Sequence, residues 1–277
     1  MPAASTPTSD LACAAACRVA SERDDGRAAD TPLTILYEDE ALLVADKPAG
    51  MVTHPAYKHP AGTLADAVFA RQVARGAARP WLLHRLDRET SGVLLFAKTD
   101  AARRALVRQF ERRSVRKLYL AVTLGVPSQP GGVFEAALRR DPADRRRVIV
   151  DGAGRPAATR YRVLAATATH ALVLARPLTG RTHQIRIHLA SSGAPLLGDR
   201  TYLPADVSMA ACAPRMLLHA WRLECAYPGT GAPFAVEAPL PADFAESVAH
   251  LGLGAGLTAL TDLASEDDRG LSPSIEC

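Results

Sequence analysis

Lysine is scarce in this chain. Of 33 basic residues only Lys47, Lys58, Lys98 and Lys117 are lysines. The others are arginines, whose planar fork suits phosphates and base stacking. A GC-rich coding bias gives the same imbalance, so the formal net charge of +4 permits a nucleic-acid partner without requiring one. Long apolar runs are missing too. No stretch reaches the ~18 residues of a membrane span, and residues 1–20 lack a basic segment followed by an apolar one, which argues against a secretory signal. The cysteines (13, 17, 212, 225 and 277) are odd in number and have no close pairing in the body. Cys13 and Cys17 have no two further ligands nearby. This pattern points to reduced thiols in a cytoplasmic protein, with no disulfide framework and no metal site.

What is present is ordinary for a globular protein: 48% hydrophobic and 22% charged residues over 277 positions, enough for one large domain or two small ones. Residues 1–30 are rich in Ala, Ser, Thr and Asp without an apolar period and read as a disordered leader. Residues 252–277 fade in the same way and read as a flexible tail. Residues 31–251 form one continuous body. Two apolar runs around Glu38, Asp39 and Glu40 predict a hairpin ending at Lys47, Pro48 and Gly50. Helices are predicted over 63–74 and, capped by Thr99 with Asp100 in the first turn, to about residue 113. On the second helix Arg104, Arg108 and Arg112 fall on one stripe, while Leu106 and Phe110 mark the inner face. From Arg116 onward strand patterns follow one another: KLYLAVTLG, GVFEAAL, RRVIV, ATRYRVLAAT, HALVLARPL, HQIRIHLA and RMLLHAWRLECAYP. Strands in succession favour an α+β chain with an antiparallel or mixed sheet over a doubly wound parallel one.

Four motifs stand out. HRLDRETSG (84–92) sets Asp87 between arginines at the mouth of the apolar strand VLLFA, where a carboxylate is costly unless paired or used. KLY (117–119) opens a strand. KPAGMVTHP (47–55) is a Pro/Gly loop with an embedded basic residue. TGRTHQIRIHLASSGAPLLGD (179–199) reads as a turn followed by a strand, on which His183 and His188 would face opposite sides and share no metal. Residues 139–162 hold eight arginines against three aspartates, Arg145 and Arg146 among them. That surplus could follow a phosphate backbone or simply solvate a sheet edge.

Taken in order and at this spacing, HRLDRETSGVLLFAKT, KLY, GRTHQIRIHL, PLLGD and KPAG resemble the RluA-type pseudouridine synthases over about residues 33–240. The resemblance implies the pseudouridine synthase fold: a long, mostly antiparallel mixed sheet with flanking helices and a central catalytic cleft. It implies isomerisation of uridine to pseudouridine in ribosomal or transfer RNA, with no metal or cofactor. Asp87 matches the family's indispensable carboxylate, a role akin to the glycosidase nucleophile. The resemblance leaves open whether Asp87 attacks the sugar, adds to the ring or deprotonates the sugar towards a glycal. Arg181 matches the cation paired with it, which would favour the charged carboxylate. Tyr119 matches the aromatic that stacks on the uracil, its hydroxyl a candidate for removing the ring proton. Arg85 matches the side chain that fills the gap left by the flipped base. Some relatives carry an S4-type RNA-binding domain before this body. With only the low-complexity leader ahead of it here, RNA grip is expected from Arg104, Arg108, Arg112, Lys117, Arg145 and Arg146. A monomer without an obligate protein partner is expected.

Two other classes stay open: a non-catalytic RNA-binding or RNA-folding module on the same fold, and a hydrolase with water as acceptor. The hydrolase needs a second carboxylate, and Asp199, the acidic residue inside a matched motif, reads as structural.

Overall fold

The structure, a computed structural model, describes residues 33–55, 60–203 and 213–265, with side chains as far as residue 260. The expected leader at 1–30, Lys58 and all the cysteines but Cys225 lie outside the described residues. Along the chain run β1 (Thr34–Glu38), β2 (Leu42–Lys47), α1 (Leu64–Ala74), β3 (Trp81–Leu82), β4 (Ser91–Ala97), α2 (Asp100–Glu111), β5 (Arg116–Leu124) and β6 (Gly131–Arg140). They are followed by β7 (Val148–Val150), β8 (Arg155–Ala166), β9 (His170–Pro177), α3 (Gln184–Ser191), β10 (Leu218–Ala226), β11 (Pro233–Glu237), α4 (Ala242–His250) and α5 (Ala255–Ser265).

The strands form a single sheet in the order β1-β2-β4-β10-β5-β9-β8-β6-β7, with β3 on β4 and β11 on β10. Every pairing is antiparallel except β4 with β10, the α+β arrangement expected from consecutive strands. The period-two alternation of the strands sorts their side chains onto two faces. Leu43, Ala45, Leu94, Phe96, Tyr119, Ala121, Val173 and Ala175 point to one face and pack with Leu64 and Val68 of α1 and Ile185 and Leu189 of α3. The intervening residues face the other way. Val44 and Leu95 pack against Leu106 of α2, and Leu120, Val122 and Leu172 against Phe244 and Val248 of α4.

The parallel seam between β4 and β10 places the Asp87 loop. His219 pairs with Ser91 and Ala220 with Gly92. Gly92 has φ +113, and a Cβ there would lie 2.2 Å from the Ala220 carbonyl oxygen, so only glycine lets the two strands close. Ala238 O can only accept from His219 Nε2 (3.3 Å), so Nδ1 accepts from Ser91 Oγ (2.9 Å), a buried polar staple across the seam.

Two segments differ from the sequence expectation. HQIRIHLA is the helix α3, not a strand: Ile185, Ile187 and Leu189 alternate, but residues 184–189 are buried on every side, a pattern a core helix shares with a strand. The tail expected at 252–277 contains α5, whose Gly256 would bring a Cβ within 3.0 Å of Ala165 and Leu172. Leu253, Leu257 and Leu260 supply a helical stripe there that the Gly- and acid-rich composition hides.

Candidate active site

The loop before β4 carries the HRLD motif and is tied down from beneath. Thr53 Oγ1 donates to Leu86 O (2.7 Å) and accepts from Leu86 N (3.2 Å). Lys47 is fully buried, and its Nζ donates to Pro48 O, Met51 O and Arg88 O at 2.7–2.9 Å. Burial pulls its pKa down to about 7 against the charges of Glu89 and Asp87, and three carbonyl acceptors match the three N–H bonds of an ammonium. The basic residue of the KPAG loop is therefore an internal post joining that loop to the Asp87 loop. His84 Nε2 accepts from Leu95 N (3.1 Å). Burial lowers its pKa to about 3, so it is a neutral structural acceptor.

Above this support lies a cleft of about 300 Å³ lined by Arg85, Asp87, Lys117, Tyr119, Arg181, His183 and Arg186. That is the small end of ligand pockets, typically ~300–1,000 Å³, and suits a single nucleotide better than a duplex. Asp87 Oδ2 accepts from Arg186 Nη1 at 3.1 Å. Arg186 also forks Asp199, Nε to Oδ2 at 2.7 Å and Nη2 to Oδ1 at 2.8 Å. The side chains of Asp199, Arg186 and Asp87 are 1%, 9% and 22% exposed, so the network runs from the core to the cleft wall. Burial opposes the Arg186 charge, but Asp199 and then Asp87 outweigh it and hold its pKa above the ordinary value. Asp87 is thus paired, and among the described residues no hydrogen bond occupies its Oδ1, which leaves that oxygen for a reacting centre.

The cation expected to pair with Asp87 is corrected here. Arg181 stands in the turn before α3 at the cleft rim, where its Nε donates to Pro156 O at 3.2 Å. Arg186 is the partner. Because the segment is helical, Arg186 in the first turn of α3 is carried inward. The turn holding Arg181 is pinned by Gln184, whose Oε1 accepts from Arg181 N and Thr179 Oγ1 while its Nε2 donates to Ala158 O and Thr159 Oγ1. Asp199 is structural as read: its carboxylate is committed to Arg186 and to Thr201 N.

Tyr119 lines the same cleft from β5 and is buried. Burial, and then the nearby Asp87 charge, raise its pKa, so it stands in the site as a neutral phenol and a base role would work against its surroundings. Arg85 is exposed at the cleft mouth. Lys117 is not an outward-facing grip. It lines the cleft with its ammonium 5.9 Å from the Phe110 ring centroid, and burial lowers its pKa. Arg104, Arg108 and Arg112 are exposed along α2, Arg104 paired with Asp100. Arg145 and Arg146 are exposed in the turn before β7, and Arg146 is paired with Asp144. Arg139 pairs with Asp151, so part of that arginine surplus is neutralised locally.

His183, considered in the sequence only as unable to share a metal with His188, is the residue before α3. It adopts the left-handed conformation (φ 53°) and places Nε2 3.8 Å from Asp87 Oδ2. Among the described residues no cluster of three or more His, Cys, Asp or Glu could hold a metal ion, and no helix is long and apolar enough to cross a membrane.

Residues 41–191, from β2 to the end of α3, match the family model described as RNA pseudouridylate synthase. The ribosomal large subunit pseudouridine synthase D of Nitrosomonas europaea is 42% identical over 81% of this chain and 67% of its own length. The protein of that name from Pseudomonas aeruginosa is 41% identical over 78% and 71%. Among solved structures, human RNA pseudouridylate synthase domain containing 4 matches with a TM-score of 0.65 at 28% identity, covering 79% of this chain and 93% of that one. The match to the family model over residues 41–191 and 42% identity over 81% of this chain make it a member of the RNA pseudouridylate synthase family, enzymes that isomerise uridine to pseudouridine in RNA.

Proposed function

We propose that this enzyme modifies uridines of large-subunit ribosomal RNA and that Asp87 is its catalytic carboxylate. The carrying observation is the Asp87–Arg186–Asp199 network. A carboxylate at the wall of a nucleotide-sized cleft keeps one oxygen on a buried guanidinium that cannot turn away, because Asp199 holds its other edge. The substrate class rests on the names of the relatives from Nitrosomonas europaea and Pseudomonas aeruginosa.

The reaction breaks the N1–C1′ bond of a uridine, turns the uracil and joins C5 to C1′. N1 gains a proton and C5 loses one, so nothing is oxidised or reduced. The target base is flipped from its stack, at a cost of a few kcal/mol. Arg85 at the cleft mouth is placed to occupy the vacated position, and Tyr119 offers a ring for the uracil to stack on. Asp87 meets the developing charge at the sugar or ring with its free oxygen while Arg186 holds the other in place. Arg104, Arg108, Arg112, Arg145 and Arg146 supply phosphate contacts outside the cleft, and Lys117 acts within it.

The test uses large-subunit ribosomal RNA and transfer RNA carrying tritium at uracil C5, from cells lacking the enzyme. The wild type should release tritium from the ribosomal RNA and Asp87→Asn should not. Release from transfer RNA alone would overturn the substrate assignment. Equal release by both proteins would overturn the role of Asp87. Binding without release by the wild type would point to an RNA-folding module.

A further inference from the structure

The turn between β6 and β7, the Asp199 loop and α3 meet at Tyr202 and His183. Tyr202 Oη accepts from Val148 N at 2.8 Å and lies 2.9 Å from His183 Nδ1. The backbone N–H can only donate, so the phenol's own proton is available to Nδ1, and when it makes that bond the imidazole proton sits on Nε2. Nε2 is the atom 3.8 Å from Asp87 Oδ2. The Tyr202 ring is held in turn by two guanidiniums, with Arg147 5.7 Å and Arg186 5.1 Å from its centroid. His183 pays for its place with a left-handed backbone that Asn or Gly would adopt more readily. A strained histidine tied at Nδ1 to a phenol, with Nε2 facing a carboxylate, is better explained by what its Nε2 does than by packing.

We propose that His183 is a positioning residue for Asp87: Tyr202 fixes its tautomer so that Nε2–H closes onto Oδ2 when RNA is bound and, with Arg186, sets the carboxylate's orientation. The proposal rests on the reading of Asp87 as the catalytic carboxylate. The gap of 3.8 Å is one small adjustment longer than a hydrogen bond, as catalytic contacts often are before substrate closes the site. The groups facing the imidazole are Asp87, Arg186, Asp199, Arg85 and Tyr202. Burial, working with the positive charges of Arg186 and Arg85 and against Asp87, lowers its pKa, which keeps the ring neutral and able to donate from Nε2 while Nδ1 accepts.

Glutamine and asparagine separate the donor from the backbone. His183→Gln keeps an N–H near the position of Nε2 but is poorer in the left-handed region; His183→Asn suits that region but stops short of Asp87. The measurements are single-turnover tritium release and RNA affinity on the full chain. His183→Asn and His183→Ala should lower the rate constant by up to about 100-fold, the scale of an ~1 Å misplacement, with RNA affinity nearly unchanged. His183→Gln should recover most of that loss. Comparable rates for His183→Asn and wild type, or a His183→Gln no better than His183→Asn, would overturn the proposal. Nitrogen-15 NMR of the imidazole gives a readout independent of turnover and of any variant: the wild type must show the neutral Nε2–H tautomer, and an Nδ1–H tautomer would overturn it. Tyr202→Phe should weaken that tautomer preference and slow the rate in the same direction. An inactive Asp87→Asn beside normal His183 variants would sink only the His183 role, whereas an active Asp87→Asn would sink the underlying reading of Asp87.

Discussion

Replacing Arg186 by Met separates the two jobs its guanidinium does. The side chain is 9% exposed and makes two hydrogen bonds to Asp199, itself 1% exposed, and one to Asp87. Met keeps most of the stem volume but strands the Asp199 charge in the core. Removing one partner of a buried pair in this way costs about 3–5 kcal/mol. For a body of this size, where 1 kcal/mol moves the melting temperature by about 2–4 °C, the expected fall is roughly 6–20 °C. The double variant Arg186→Met, Asp199→Asn removes the stranded charge and should regain most of the stability, while tritium release stays abolished because Asp87 still lacks its partner. Arg181→Met loses one exposed contact to Pro156 O and should cost about 1 kcal/mol or less. Calorimetry and tritium release together decide. A melting temperature for Arg186→Met within about 2 °C of wild type, less than 1 kcal/mol, would refute the energetics. A greater loss of activity in Arg181→Met would return the pairing role to Arg181.

Other consequences follow from the support beneath the site. Lys47→Met removes the donor shared by three carbonyls and should cost about 2–5 kcal/mol in chemical denaturation; an unchanged denaturation midpoint would show that the post is dispensable. Gly92→Ala combines a strained positive φ with a clash on the Ala220 carbonyl and should lose about 2–5 kcal/mol; wild-type stability would mean the seam can open there at little cost. Burial lowers the pKa of His188 and of His219 to about 4. Below the unfolded-state value near 6.5 the unfolded chain binds protons that the folded one does not, so stability is full above that pH and falls as pH drops towards 4, by at most about 3 kcal/mol per histidine. A melting temperature constant from pH 6.5 to 4 would contradict this.

The legible and illegible parts of the sequence divide along physical lines. Helix α2 with its Thr99 cap follows from a polar signal local in sequence, and that cap forms; α1, expected over 63–74 without a named cap, proves to be capped by Thr63 in a box with Asp66. The strands follow from alternation, which survives wherever the two faces of the sheet differ. Asp87 stood out because a charge before an all-apolar strand is anomalous on local grounds alone. Arg186 did not, because its significance depends on whether HQIRIHLA is a helix, and alternation of Ile185, Ile187 and Leu189 cannot decide that for a segment buried all round. Arg181 as the partner came from matching GRTHQIR to the family motif and not from geometry; the helix puts Arg186 at the carboxylate and His183 at the entrance to the first turn. Lys47 was hidden for a different reason. A lysine beside a Pro/Gly loop is normally solvated, and only the fold of the KPAG loop back over Arg88 supplies the three carbonyls that bury it. Asp87 can be read from type and local surroundings, whereas the groups that hold it depend on pairings up to 99 positions apart, as between Asp87 and Arg186.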